Sequence, residues 1–194
     1  MTATKQAAVH YEKSDGVGRT VAIGAAAAVV GAVFGNLLRK SAVQAPTVLA
    51  GNWDQALAAE HKAALAIFDL LEKTSDDQTG RRTTLLVQLK HAISKHAFQE
   101  ENAIYTMMRD HGLKDAADHL NHEHGYVKQY FFDLGEMPKD SPDWLPKLRE
   151  FRAMIEEHMR EEEDELFPQM RAKLSDAQNK HVTAVMNKEG FKLA

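Results

Sequence analysis

The sequence predicts an all-α protein: an up-down-up-down four-helix bundle with an extra apolar helix at the N-terminus and a short helix at the C-terminus. Three observations predict it. From Asn52 onward apolar residues recur at helical spacing, and no β-rich segment competes. The connections between the long amphipathic stretches are short, which makes successive helices antiparallel neighbours. The second half of this region also echoes the first at a nearly constant offset, as two similar helical hairpins would.

Residues 1–20 are polar and aperiodic and read as a flexible tail. Val21 to Leu38 follows as an unbroken uncharged run, at the short end for a membrane-spanning helix and rich in Ala and Gly. Gly31 and Gly35 form a G-x-x-x-G with Gly24 one heptad earlier, a stripe suited to close helix packing. Arg19 precedes the run and Arg39 and Lys40 follow it, so the flanking charges set no orientation. Three readings of the run stay open: a membrane-associated or self-associating helix, a cleaved signal, and a soluble apolar helix. Residues 21–45 make up this element and its linker, and Pro46 is expected to end it.

Asn52 can cap a first bundle helix of about residues 53–73, and Thr74 to Gly80 reads as a loop. A second helix runs to about Asp110, where Gly112 ends it. A third covers about 114–134 and is expected to stop at Gly135. Ser141 and Pro142 suit the N-cap and first position of a fourth helix, about 142–173. The bundle therefore occupies residues 52–173. Ser175 with Gln178 is a capping box that opens a short final helix within residues 174–194.

Composition narrows the function. Hydrophobic residues make up 44% and charged residues 27%, the balance of a globular domain. A net charge of −4 argues against a nucleic-acid partner. The absence of cysteine excludes disulfides, zinc ribbons, iron–sulfur clusters and thiol catalysis. A cytoplasmic location is expected, with residues 21–38 offering a route to membrane association or to a homo-oligomer.

The repeat carries the chemistry. Glu60-His61 in the first helix matches Glu123-His124 in the third. His96-x-x-x-Glu100-Glu101 in the second matches His158-x-x-x-Glu162-Glu163 in the fourth, at an offset only one position different. Leu57 and Leu120, Phe68 and Phe131, Ile93 and Ile155, Tyr105 and Phe167, and Met108 and Met170 pair in the same way. His96 and Glu100 lie about 40° apart on a helix, within the apolar stripe of Leu86, Leu89, Ile93 and Ile104. His158 and Glu162 share a face with Leu148, Phe151, Ile155 and Leu166. His61 sits among Leu57, Leu65 and Phe68, and His124 among Leu120, Val127 and Phe131. A lone inward histidine is usually a hydrogen-bonded core residue, and a lone H-x-x-x-E a surface ion pair. Four inward histidines with two inward carboxylates demand a compensating charge, because an unpaired buried carboxylate is costly. A pair of metal ions supplies it, and imidazole and carboxylate suit iron. His61, His96, Glu100, His124, His158 and Glu162 are the expected ligands, with both glutamates as bridges.

The remaining polar residues are expected elsewhere. His91, His119 and His122 fall off the ligand face, and His111 suits a helix C-terminus. Glu101 and Glu163 lie about 140° from the ligand histidines and read as solvated or as supports for them. Glu60 and Glu123 read as surface or edge salt bridges, with support of a ligand histidine as the alternative. Of the run Glu161 to Glu165, only Glu162 points inward by phase. Tyr105 and Tyr126 are too far round in phase to nominate as proton donors. Pro168 is expected to bend the fourth helix just beyond the site.

Residues 52–173 resemble the hemerythrin-like, HHE cation-binding family. The resemblance lies in AEHKAAL around His61, KHAFQEEN around His96, NHEHGYV around His124 and EHMREEEDELFPQM around His158. It implies a non-heme di-iron centre and a response to dioxygen, nitric oxide, peroxide or iron. The match departs from the oxygen carriers. They have a second histidine four residues before the one at the His124 position, where this chain has Leu120. They also have an aspartate at i+5 on the last helix, where this chain has Glu162 at i+4. Six protein ligands instead of seven disfavour reversible oxygen carriage and leave a position for exogenous ligands. The expected function is therefore to bind dioxygen or a related small oxidant, such as peroxide or nitric oxide, in sensing, buffering or stress defence. A peroxidase-like, nitric-oxide-reducing or ferroxidase enzyme is one alternative. A membrane-tethered or oligomerising sensor is another. Phe68 and Phe131 would keep bulk water from the centre.

Overall fold

The computed structural model describes residues 35–194. The polar tail and most of the Val21–Leu38 run therefore lie outside the described residues. The chain divides between Arg39 and Lys40 into two units. Residues 35–49 are helical, and the stretch from Lys40 onward, here α1 (residues 40–49), belongs to the second unit. The helix continues past Pro46, which was expected to end it. Thr47, buried in its last turn, hydrogen-bonds Glu60 and accepts from Lys95, and these tertiary contacts outweigh one lost backbone donor. Among the described residues no helix is long and apolar enough to cross a membrane.

The second unit is helical. α2 (Trp53–Glu72) opens at Asn52 with a capping box closed by Gln55. α3 (Thr79–Gln99) leads without a break into a π turn, Glu100–Ile104, and then α4 (Tyr105–Asp110). Gly112, at φ 78°, takes the left-handed conformation that ends this stretch. α5 (Lys114–Glu136) runs through Gly135, so that glycine does not act as the stop. α6 (Trp144–Glu161) starts slightly later than the sequence suggests. Ser141 closes a turn instead, with its Oγ accepting from the Asp143 N–H at 3.2 Å. A second π turn, Glu162–Leu166, joins α6 to α7 (Phe167–Lys173). The interruption expected near Pro168 is thus this π turn, and Pro168 falls in the first turn of α7, where its missing N–H costs little. The matching turn at Glu100–Ile104 has no proline, so proline does not cause it.

α8 (Asp176–Leu193) has the expected Ser175–Gln178 capping box, but it is a full helix of 18 residues. It is held because Trp53 reaches it twice: the backbone N–H donates to Thr183 Oγ1 at 3.1 Å and the indole N–H to Asn179 Oδ1 at 3.0 Å. α2 packs on α3 and α6, and α5 on α3 and α6, so the four long helices touch in a closed ring. α8 lies against α2, α3 and the first π turn. Two clusters of buried apolar side chains result. One gathers Trp53, Leu57, Ile104, Leu120, Phe167 and Met186, and the other Phe68, Leu89, Phe131, Trp144, Phe151 and Ile155. The polar residues singled out by the repeat lie where these two halves meet.

Candidate metal centre

All six sequence-nominated residues are buried, and the structure brings them together. α2 supplies His61, α3 His96, α5 His124 and α6 His158. The two π turns open with Glu100 and Glu162, both fully buried. His61 Nε2 and His96 Nε2 lie 2.9 Å apart, and the His124 and His158 rings face each other at 5.2 Å between centroids. Glu100 stands between these pairs, with Oε1 3.0 Å from His96 Nε2 and Oε2 3.5 Å from His124 Nε2. Glu162 spans them differently. Its Oε2 alone is 3.4 Å from His61 Nε2 and 3.5 Å from His158 Nε2.

Each histidine is aimed by a carboxylate from a neighbouring element. His61 Nδ1 donates to Glu163 at 2.7 Å, and His96 Nδ1 to Glu60 at 3.1 Å. His124 Nδ1 donates to Glu101 at 2.9 Å, and His158 Nδ1 to Glu123 at 2.6 Å. A carboxylate can only accept, so Nδ1 carries a proton and Nε2 is the nitrogen turned inward, free to ligate once it gives up any proton of its own. Glu60 and Glu123 therefore support ligand histidines, the alternative reading of them, while Glu60 also makes an edge salt bridge with Lys95 at 2.5 Å. Their backbone positions face the edge of the bundle, but the side chains reach the histidine of the next helix. Glu101 and Glu163 likewise serve as supports. His91, His119 and His122 are exposed, and His111 Nδ1 donates to the Met107 carbonyl at 2.9 Å near a helix end, all as expected.

One residue was missed. Tyr105 is fully buried, and its hydroxyl donates to Glu162 Oε1 at 2.9 Å. It also lies 3.3 Å from His124 Nε2 and 3.4 Å from Glu100 Oε2. On an unbroken α-helix Tyr105 sits about 140° from Glu100 and cannot reach this centre. In the π turn the Tyr105 N–H bonds the carbonyl of Glu100, five residues back, which brings the tyrosine over the glutamate. The signal available in the sequence was the pairing of Tyr105 with Phe167. Phe167 follows the other π turn in the same way and stacks on His61 at 6.3 Å.

Electrostatics show what the arrangement lacks. Burial alone would strip the proton from His96, but Glu100 and Glu60 raise it well above the ordinary histidine range. His124 is raised to about 9, against the effect of burial, by Glu100 and Glu101. Burial would raise Glu100, yet His96 and His124 hold it well below the usual carboxylate range. Glu60 falls to about 2, again against burial, through His96 and Lys95. Burial, with Glu100 and Glu162, pushes Tyr105 well up.

Six carboxylates surround four imidazoles here; Lys95 pairs with Glu60 and Lys128 lies 3.8 Å from Glu101, so these lysines pair with the outer carboxylates and not with the buried Glu100 and Glu162. Glu100 Oε1, Glu162 Oε2 and His158 Nε2 are buried and have no hydrogen-bond partner. Unsatisfied buried acceptors converging on one point are costly unless a cation lies among them. Two imidazole nitrogens at about 2.1 Å from one ion in adjacent positions are separated by about 3 Å, which is the spacing His61 and His96 show. His61, His96, Glu100 and Glu162 could hold one cation, and Glu100, His124 and His158 another.

Residues 54–170 match the family model described as the hemerythrin HHE cation binding domain. The chain is also similar to an uncharacterized hemerythrin-like protein of Schizosaccharomyces pombe, at 23% identity over 128 residues. That alignment covers 64% of this chain and 62% of the yeast protein, so the chain spans less than two thirds of that relative's length. No solved structure matches the chain.

Proposed function

Since the chain belongs to the hemerythrin HHE cation-binding family, we propose that it holds two iron ions that bind dioxygen or a related small oxidant, in sensing, buffering or stress defence. One observation carries this reading. Four histidines turn Nε2 onto two fully buried glutamates, and three atoms of that set have no other partner. His61 and His96 would hold one ion and His124 and His158 the other, with Glu100 and Glu162 placed between the two pairs to serve both. The four long helices run up-down-up-down, the order that short connections and the internal repeat favour.

Iron held by six protein ligands would supply open coordination positions and one-electron redox chemistry. The chain's own groups do the rest. Glu60, Glu101, Glu123 and Glu163 hold the rings in one tautomer. A void of about 20 Å³ lies against the four histidines and is walled by Ala64, Ile93, Ala97, Val127, Ile155 and Met159. Room for about one water molecule, with apolar walls, suits a diatomic gas better than a polar substrate. A surface cavity of about 270 Å³ shares Ile93, Ala97, His124 and Val127 with that void and opens beside Phe98 and Phe131. The shared residues put this cavity next to the inner void, on the side from which a small molecule would approach the centre.

Anaerobic titration of metal-free protein with ferrous salt tests the reading. Uptake should stop near two equivalents, and air should then produce a new optical band. A folded protein that takes up less than one equivalent would refute it.

A further inference from the structure

The two halves of the centre are not equal. Ligand atoms of His61, His96, Glu100 and Glu162 gather closely in the His61 half, whereas in the His124 half only Glu100, His124 and His158 do, and Glu162 reaches it through Oε2 alone, 3.5 Å from His158 Nε2. Tyr105 Oη lies on the poorer side, within 2.9–3.4 Å of Glu162, His124 and Glu100. The inward atoms of the six nominated ligands keep the same spacing among themselves, 2.9–3.5 Å. In the other half the repeat places Phe167, which offers no donor atom. We propose that the phenolic oxygen of Tyr105 is a seventh protein ligand, coordinating the ion of the His124–His158 half and making the two ions chemically distinct. The inference rests on the di-iron reading above.

The hydroxyl has one proton, and it donates that proton to Glu162 Oε1. A charged His124 can donate to the hydroxyl from Nε2 at 3.3 Å. Glu100 Oε2, at 3.4 Å, still meets a lone pair of the hydroxyl. An ion held at His124 Nε2 would make each of these contacts attractive. Coordination replaces the phenolic proton with the ion and releases that proton to solvent. The first π turn is what places the oxygen there.

The test loads full-length protein with ferrous iron under anaerobic conditions, counts the iron, oxidises it in air and records visible absorption and resonance Raman spectra. The expected result is a phenolate-to-iron charge-transfer band whose Raman spectrum shows coordinated-tyrosinate ring modes. Tyr105→Phe should lose both. Phe167 shows that this fold accepts phenylalanine after a π turn, and circular dichroism checks that the variant is folded. Tyr126→Phe, at an exposed position, should keep both. Wild-type protein that holds two irons without tyrosinate modes overturns the inference and leaves the di-iron reading standing. A band that survives Tyr105→Phe does the same. Failure of the wild type to take up iron, visible in the metal count before any spectrum, sinks both.

Discussion

Replacing Glu162 by glutamine should move stability in opposite directions with and without iron. The carboxylate is fully buried, Oε1 accepts from Tyr105 at 2.9 Å, and Oε2 has no hydrogen-bond partner. Without metal, Glu162→Gln removes a buried negative charge from a centre where six carboxylates face four imidazoles. Five carboxylates remain, so no histidine loses its only counter-charge, and the amide oxygen still accepts from Tyr105. Relief of a buried charge under these conditions amounts to about 1–3 kcal/mol. At about 2–4 °C per kcal/mol for a chain of this size, the metal-free Tm should rise by about 2–12 °C. With iron the sign reverses. Loss of a supporting group beyond the ligands costs about 10–100-fold in metal affinity, and loss of a bridge should exceed that. A 100-fold loss is about 2.7 kcal/mol, so the Tm gain on iron loading should shrink by at least about 5–11 °C. Differential scanning calorimetry with ferrous iron and with chelator, alongside iron analysis, measures both terms. Glu165→Gln, at an exposed position on the same turn, is the control. A lower Tm in the chelated state together with unchanged iron content would refute the reasoning.

Other outcomes follow from the same geometry. Glu123→Ala leaves His158 Nδ1 without its acceptor and should weaken iron binding by about 10–100-fold in a competition assay, whereas Glu165→Ala should not. Deleting residues 1–39 should leave iron content unchanged, since the second unit begins at Lys40. Deleting residues 1–50 also removes Thr47 from Glu60 and should lower affinity, as read by the same competition. Ala97 lines both the surface cavity and the inner void, so with Ala97→Phe stopped-flow binding of nitric oxide to the iron-loaded protein should slow at least about 10-fold, with iron content retained.

The helices and the six inward residues were legible because both depend on period alone. His96 and Glu100, one turn apart on the stripe of Leu89 and Ile93, can be placed inward without knowing any neighbour. Glu60 and Glu123 could not be placed this way. By phase they sit at the bundle edge, and their role depends on the reach of a side chain to the next helix, which helical phase does not encode. The repeat did contain the answer in another form. Glu60 reaches His96 as Glu123 reaches His158, and Glu101 reaches His124 as Glu163 reaches His61. A glutamate for every histidine, kept through an internal repeat that preserves few other surface residues, marks a constraint that a solvated face would not impose. Pro46 misled for a related reason: its cost is local, while the contacts of Thr47 that carry α1 onward are tertiary.

The π turns account for the rest. A phase argument assumes about 100° per residue throughout, and the two π turns break that assumption beside the buried glutamates. Each turn brings the residue five positions after its glutamate to the centre, Tyr105 in one half and Phe167 in the other. The helical wheel therefore holds through Ile104 and Leu166, both buried as their phase predicts, and fails at the residue after the first turn, Tyr105. The two turns arise at equivalent positions in sequences that share Glu-Glu at their start but differ afterwards, Asn-Ala-Ile against Asp-Glu-Leu. What they have in common is the demand placed on the first glutamate, which must point into a core among histidines while the next one reaches outward to a neighbouring ring. On a regular α-helix adjacent residues stand about 100° apart, and the wider turn accommodates both demands in one place. The irregular backbone thus lies where the polar chemistry is, and the regular helices on either side supply the apolar clusters that hold it.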